Sequence, residues 1–491
     1  MGVSLSAESP LLDVGSKLTS GTCFDEESLR YTEPIKIDAI ASGDVASSIR
    51  YNYMYASRGN GYKNVEIITQ SIHFGFAFII NPKGQGHRST KMAPRLDPVP
   101  AHHLQGRNDP ASRKLNELLC RNHTAHAVLR NPRLLLHNHL PHALGSSYLL
   151  GATEAQLEKI YATESNNLVA ADDDKLPHEK ITIDNWREFL GKKEYTTAYA
   201  DFFDDEIAKR GGDWMSVVED YMFTGPQPVI NGFSGGLGHP FIHLAYAFEF
   251  NHGVVAAEAM SLGCTEYDPT HEFLDSAPQD NSTYKTPQLE QVLRNIRADC
   301  RFDGFAEEPG FLNILNMLAH HKSEVLEHWN AWVVEDPPKQ LADCAHTAAV
   351  LLMGTSTDEG EFDFYLAHIL TVAHALRIIL PHYSFERQLS LMRQYGLYAI
   401  LVYLAQLRPQ TAWEERESLD DKATPSWDEI YKSALSNKWF VDVHFPKVVR
   451  GLKVVEETWG SSDGLYQRAA AKFVSEFSGW GGFGLGVDAI P

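Results

Sequence analysis

Apolar residues recur at helical spacing along most of this 491-residue chain. The first such run covers residues 112–130, with Pro132 as its stop. A short apolar helix follows over 140–150 and ends at Gly151; Thr153 opens the next, with Gln156 as its capping-box partner. Residues 185–210 and 214–223 read as amphipathic helices with an acidic face. The run from Phe241 to Phe250, continuing to about 262, is strongly apolar, and 267–289 reads as a polar loop. Helices are expected over 311–333, 341–353, 362–380 (apolar on nearly every side), 387–407, 426–435 and 465–477. Before all of these, residues 1–50 look irregular, 65–80 look strand-like, and about 81–110 form a long Gly-, Pro- and His-rich loop. No repeat of fixed period is present. The expected fold is mainly α: one large multi-helix domain over 51–491, with a minor extended N-terminal part.

The charge balance narrows the partners. With 64 acidic against 43 basic residues, the net charge of −21 argues against non-specific binding to nucleic acid or an anionic membrane. Five scattered cysteines without a CxxC pair argue against a disulfide framework or a thiolate zinc site, and fit a reducing, cytoplasmic compartment. No run of about 18 consecutive apolar residues occurs, so no membrane span is expected. The start, MGVSLSAES, lacks the build of a signal peptide; it fits a loose myristoylation pattern at Gly2, where one acyl chain would anchor poorly.

The chain has 22 histidines, and three groups of them sit where helices would aim them inward. In His137-Asn138-His139-Leu140-Pro141-His142, Pro141 suits a first helical turn, and His139 and His142 are three apart on one side of it. Behind the Gly-rich run 231–238, His239 and His243 are four apart on an otherwise apolar helix, a common way to direct two imidazoles at one metal ion. Glu249 follows on the same helix, placed to orient a ligand. On the all-apolar helix 362–380, His368 and Thr371 share one face, and His374 and Arg377 another. Glu249, His374 and Arg377 are the candidate polar catalytic groups. Each imidazole has a plainer alternative, a packed core histidine bonded to a backbone carbonyl. His320, His321 and His328 among charged neighbours read as a solvated face, His73 as a lone core residue, and His102, His103, His123 and His126 as surface or loop residues. The acidic runs at 172–174 and 204–206 read as solvated.

Several motif matches fail on context. Gly479–Gly484, GWGGFG, formally matches GxGxxG but follows a helix instead of a strand. Gly232–Gly236 formally matches the nucleophile elbow around Ser234, yet its lead-in is short and broken by proline. Pro240 stands where the zinc-protease motif needs glutamate. No Walker A motif is present. What remains is buried imidazole without thiolate, which suits iron, zinc or copper.

Three blocks carry a family resemblance. HNHLPHALGSSYLLGA (137–152), GHPFIHLAYAFEF (238–250) and FDFYLAHILT (362–371) resemble, in order and spacing, those of questin oxidase-like proteins of fungal secondary metabolism. The resemblance implies oxygenative ring cleavage of an anthraquinone-type aromatic polyketide with O2. It implies His139, His142, His239, His243 and His368 as ligands of a non-haem iron, about four of which would bind to keep open positions. It implies NADPH as a possible electron source, although no flavin signature accompanies it. Some members are thought to add a carbamylated lysine; Arg377 occupies the third-block helix, and arginine cannot form a carbamate, so Lys322 is one option. Phe233, Phe241, Tyr246 and Tyr365 are the aromatics expected to stack on a flat substrate, with Phe364 beside them. Three readings compete with the iron oxygenase: an NADPH-dependent Baeyer–Villiger-type oxidation without metal, a hydrolase using zinc or Ser234, and a non-catalytic helical protein that binds a hydrophobic ligand.

Overall fold

Nearly every long apolar run of the sequence forms a helix. The computed structural model describes residues 48–59, 62–73, 96–104, 107, 109–130, 136–275, 279–410 and 424–484, and divides the chain into two units, Met1–Thr90 and Lys91–Pro491. In the first, β1 (Ser48–Gly59) and β2 (Tyr62–His73) pair as an antiparallel hairpin with Ser48 opposite His73. The expected strand thus runs as far as His73; residues 74–80, most of the irregular start, the side chain of His73 and the loop up to residue 95 lie outside the described residues.

The second unit is mainly helical. Its order is α1 (Pro110–Ala125), β3 (His126–Arg130), β4 (Leu136–His137), α2 (Leu140–Leu149), α3 (Glu154–Glu164), β5 (Leu168–Ala170), α4 (Thr196–Lys209), α5 (Trp214–Phe223), α6 (His239–Phe250) and α7 (Gly253–Thr265). Then come α8 (Glu272–Asp275), α9 (Leu289–Ala298), α10 (Leu312–His320), α11 (Lys322–Ala331), α12 (Pro337–Gly354), β6 (Glu361–Asp363), α13 (Phe364–Ile379) and α14 (Phe385–Ala405). The last elements are α15 (Trp427–Ser436), α16 (Phe445–Trp459), α17 (Leu465–Glu476) and β7 (Gly479–Gly481). The short strands form small sheets, β4-β3-β5 and the parallel pair β6-β7. Capping boxes start α3 at Thr153/Gln156 and α15 at Ser426/Glu429.

An all-round apolar helix must be surrounded, and α13 is: α6, α12, α14 and α16 pack on it, and only Phe364 and Arg377 of its residues are partly exposed. Residues 364–382 are long and apolar enough to cross a bilayer, but 83% of the apolar window is buried inside this fold, so α13 is a core helix.

Four expectations need correction. The first helix ends at Ala125, because His126–Arg130 finds strand partners in β4 and β5 that outweigh its helical spacing. Residues 186–195 form short 3₁₀ turns, and α4 begins only at Thr196. The expected helix 311–333 breaks at His321, whose non-helical φ/ψ of −126°/25° separates α10 from α11. Helix α16 was assigned no element from sequence, and it carries residues central to the site below.

Candidate metal centre

Three helices begin at the same buried place, each with a histidine at its start and a proline in its first turn. His139 caps α2 ahead of Pro141, His239 opens α6 ahead of Pro240, and His444 caps α16 ahead of Pro446. Side chains fix these starts. Asn138 accepts from the Leu140 N–H (3.0 Å) and donates to Asn122 Oδ1 (2.8 Å); Asp442 accepts from the backbone N–H of His444 and of Phe445 (2.8 Å each). Gly238 sets the entrance to α6 with φ +72°, and a Cβ there would lie 2.5 Å from Val372 on α13, so only glycine lets the two helices approach. His368 reaches the same place from the second turn of α13.

The rings form a cluster. His139 Nε2 lies 2.7 Å from His239 Nε2, and ring centroids are 4.7 Å apart for His139–His444, 5.0 Å for His239–His368 and 4.8 Å for His368–His444. Two ligand triads result, His139/His142/His239 and His239/His368/His444, the ligand atoms of each lying within 4.8 Å of one another and His239 shared. All five side chains are buried. His239 Nδ1 bonds the Gly236 carbonyl and His368 Nδ1 the Phe364 carbonyl (2.7 Å); both nitrogens therefore carry the proton, and each Nε2 keeps its lone pair. Burial, reinforced by the neighbouring imidazoles and Lys447, pushes His139, His142, His239 and His444 well below the ordinary histidine range, and burial takes His368 to about 3. These are neutral imidazoles, the form that binds metal. The positive ends of three helix dipoles act in the same direction.

Lys447, in the first turn of α16, lies close enough to act electrostatically on all five histidines. Its side chain is buried, its Nζ has no hydrogen-bond partner, and burial lowers it from the ordinary 10.5 to about 7. His139 Nδ1, His142 Nδ1, His368 Nε2 and His444 Nε2 are likewise buried without a partner. Five such unsatisfied groups around one point would be costly in a core that holds nothing there.

Carboxylates stand behind the imidazoles. His142 Nε2 bonds His243 Nδ1 (3.0 Å), and His243 Nε2–H donates to Glu258 (2.7 Å). Glu258 also binds His123 (3.1 Å), whose other nitrogen meets Asp204 (2.6 Å). Burial pushes the Glu258 carboxyl up, but the bonds from His123 and His243 hold it at about 2; burial pulls His123 down, and its two carboxylates raise it to about 10. On another side, His137 stacks on His239 at 4.4 Å and bonds Glu266 (2.8 Å), which also pairs with Lys193.

Four of the five histidines read from the sequence lie in the triads, and His243 is engaged at both ring nitrogens and stands behind His142. Among the other expected residues Tyr246 and Phe364 touch triad rings, and the rest have partners of their own. Glu249 is held below the usual carboxylate range by the Arg450 guanidinium despite burial, and His374, pushed to about 3 by burial, lies near that pair. Arg377 donates to Thr458 Oγ1 and to the Asp97 carbonyl, 3.0 Å each. Phe233 and Phe241 pack on each other at 5.1 Å in the fully buried core. Tyr246 stacks on His142 at 5.5 Å and bonds Ser146 (2.5 Å); Tyr365 packs on Phe364 at 5.5 Å. Lys322 pairs with Glu272 (3.4 Å) at the surface. Ser234 has Thr270 beside it at 3.5 Å, and no imidazole among its hydrogen-bond partners. His123, expected at the surface, is instead partly buried between Glu258 and the partly exposed Asp204, and His328 is buried between Tyr284 (2.8 Å) and Asp299 (2.9 Å). His444 and Lys447 were missed, although His444 followed by Pro446 repeats the spacing of His139 and Pro141.

A helical fold that gathers uncharged imidazoles around one buried point, without a thiolate, belongs to an enzyme with a histidine-walled centre. The chain is a member of the questin oxidase-like family, whose model matches residues 136–452, from β4 into α16. It is 25% identical over 365 residues to the oxidoreductase AflY of Aspergillus parasiticus, covering 70% of this chain and 72% of that protein. It is 25% identical over 381 residues to the Baeyer-Villiger oxidase mdpL of Emericella nidulans, covering 70% and 81%. It is 24% identical over 374 residues to a questin oxidase of Aspergillus fumigatus, covering 71% and 82%. The chain is an enzyme of the oxygenase class.

Proposed function

We propose that this enzyme opens one ring of a flat aromatic polyketide of the anthraquinone type, using O2 at a non-haem iron held by buried histidines. The observation that carries the reading is the pair of imidazole triads sharing His239, with four ring nitrogens and the Lys447 amine left unpartnered in the core. Neutral nitrogen donors without thiolate suit iron. His139, His239, His368 and His444 would hold it, with His142 at the edge. The ion would supply the one-electron chemistry that lets O2 react with a closed-shell aromatic ring.

The chain's own residues prepare that centre. Burial keeps the imidazoles unprotonated at neutral pH. The Gly236 and Phe364 carbonyls fix the tautomers of His239 and His368. Glu258 holds His243, which in turn holds His142. Lys447 fits the carbamylated lysine that the resemblance implies: its amine, about half of it neutral at pH 7, would form an N–C bond to CO2 and release one proton, giving a carboxylate. Where one oxygen atom is inserted and the other leaves as water, two electrons are needed, and NADPH is the proposed source. A metal-free NADPH reaction would leave the five unpartnered groups without a role.

Metal analysis by mass spectrometry on anaerobically purified protein tests this. The expected result is about one iron per chain, lost in a folded His239→Ala variant, with O2 uptake on a hydroxyanthraquinone. Zinc would favour the hydrolase, and a well-folded protein that binds no metal refutes the proposal.

A further inference from the structure

A line of hydrogen bonds leaves the histidine cluster and reaches the surface without a gap. It starts at His142, whose Nδ1 is buried at the cluster without a partner. His142 Nε2 meets His243 Nδ1 (3.0 Å), and His243 Nε2 meets Glu258 Oε2 (2.7 Å). The other carboxylate oxygen, Oε1, meets His123 Nδ1 (3.1 Å), and His123 Nε2 meets Asp204 Oδ2 (2.6 Å). The five members stand on five helices, α2, α6, α7, α1 and α4. Side-chain exposure climbs outward, from 0% at His243 and 3% at Glu258 to 12% at His123 and 39% at Asp204, so the line ends in solvent. There Asp204 lines a surface cleft of about 590 Å³ together with Asp172, Asp173, Glu179, Asp201 and Asp205.

The partners fix where the protons sit. A carboxylate only accepts, so His243 Nε2 and both His123 nitrogens carry hydrogens. His243 Nδ1 is then a lone pair, His142 Nε2–H donates to it, and His142 Nδ1 keeps its own lone pair. The N–H groups of His142 and His243 therefore both point away from the cluster. One carboxylate is enough to orient His243, yet the line continues past Glu258 to the surface. The Glu266 side of the cluster differs. His137 bonds Glu266 but meets His239 by ring stacking at 4.4 Å, through which no proton passes.

Resting on the oxygenase reading above, we propose that His142, His243, Glu258, His123 and Asp204 form a proton path between the buried centre and solvent, through which a phenolic hydroxyl of the bound aromatic loses its proton. The O–H bond breaks as an N–H bond forms at His142 Nδ1. His142 passes its Nε2 proton to His243 Nδ1, and His243 passes its Nε2 proton to Glu258. His123 releases its Nε2 proton through Asp204 to water. One proton enters and one leaves, so the net charge of the line is unchanged. His142 and His243 exchange one tautomer for the other and stay neutral, and no unpaired charge forms in the core. The line then points inward. A proton returned along it, as the second oxygen atom leaves as water, restores the starting arrangement.

Full-length protein labelled with nitrogen-15 at histidine and treated with chelator reads the path by NMR without catalysis. On transfer to D2O, the buried His142 and His243 ring N–H signals should exchange about tenfold more slowly in Asp204→Asn and His123→Gln than in wild type. Asp205→Asn, an exposed neighbour outside the line, should exchange at the wild-type rate. A merely structural role predicts the reverse, since a loosened core exchanges faster. In the enzyme as purified, Asp204→Asn should lower kcat for O2 uptake about tenfold, with KM for 1,8-dihydroxyanthraquinone within about twofold. Should His123→Gln fold poorly, Asp204→Asn at the surface still decides the question. Exchange that is unchanged or faster in the line variants overturns the path; iron retained in the same preparations then leaves the metal reading standing. Slowed exchange with a wild-type kcat overturns its part in turnover. Slowed exchange in a protein that binds no iron supports the path and overturns the metal reading.

Discussion

Replacing Lys447 by methionine should stabilise the metal-free protein, and only on the acid side. The amine is buried at the histidine cluster with no hydrogen-bond partner, and burial brings it from 10.5 to about 7. Each tenfold loss of proton affinity is worth about 1.4 kcal/mol, so the fold pays up to about 5 kcal/mol to hold a protonated Lys447. Below pH 7 the amine is protonated in both folded and unfolded chains, and the cost is complete. Between about 7 and 10.5 it is neutral in the fold alone, and the cost shrinks as pH rises. Above 10.5 it is gone. Methionine fills similar volume without a charge. For a unit of this size, about 5 kcal/mol corresponds to a rise of roughly 6 °C in melting temperature. Melts of chelator-treated wild type and Lys447→Met at pH 6, 8 and 10 should show the full gain at pH 6 and almost none at pH 10. A variant that melts at or below wild type at pH 6, or a gain that persists at pH 10, refutes the reasoning.

Other outcomes follow from the same geometry. Glu258→Gln removes a buried carboxylate that holds His243 and His123, and should cost about 3 kcal/mol in urea unfolding at pH 7. In wild type the Glu258 contribution is present above 4.5 and fades as pH falls toward 2, while that of His123 is complete below 6.5 and fades as pH rises toward 10. The variant's stability profile should therefore be flatter at both ends. A Cβ at Gly145 would sit 2.7 Å from Tyr246 and from Phe250, so Gly145→Ala should lower stability by about 2 kcal/mol and shift Tyr246 off His142, visible as altered iron retention. Ser234→Ala should leave O2 uptake unchanged, because among the described residues the only hydrogen-bond partner of that hydroxyl is the Thr270 hydroxyl.

The helices were legible wherever apolar spacing persisted, and the capping signals at Thr153 and Ser426 marked their starts well. The histidines on α2, α6 and α13 could be read because proline and intervals of three or four placed them on inward faces. Their meeting point could not be read, since helical periodicity carries no information about which faces converge. Helix α16 mixes Lys, Arg and Glu with valine, which hides its buried face, and His444, Lys447 and Arg450 are hidden with it. Phe233 and Phe241 illustrate a further limit. An aromatic beside a site histidine in sequence packs as readily into the core as into the site, and only the fold separates the two. His123 misled for a similar reason: its partners Glu258 and Asp204 lie on other helices.

The shared histidine has a consequence for how the enzyme is made. His139 and His444 are about three hundred residues apart in sequence, and His239 joins the triad completed by one to the triad completed by the other. Closing a loop of that length costs conformational entropy that only a nearly finished core can offset. A nascent chain that has emerged only as far as α6 can present His139, His142 and His239 but lacks His368, His444 and Lys447. Early capture of a metal ion would therefore be loose and exchangeable. On the proposed reading, tight loading would become available only when α16 docks on α13, and occupancy of the centre would report that folding is complete.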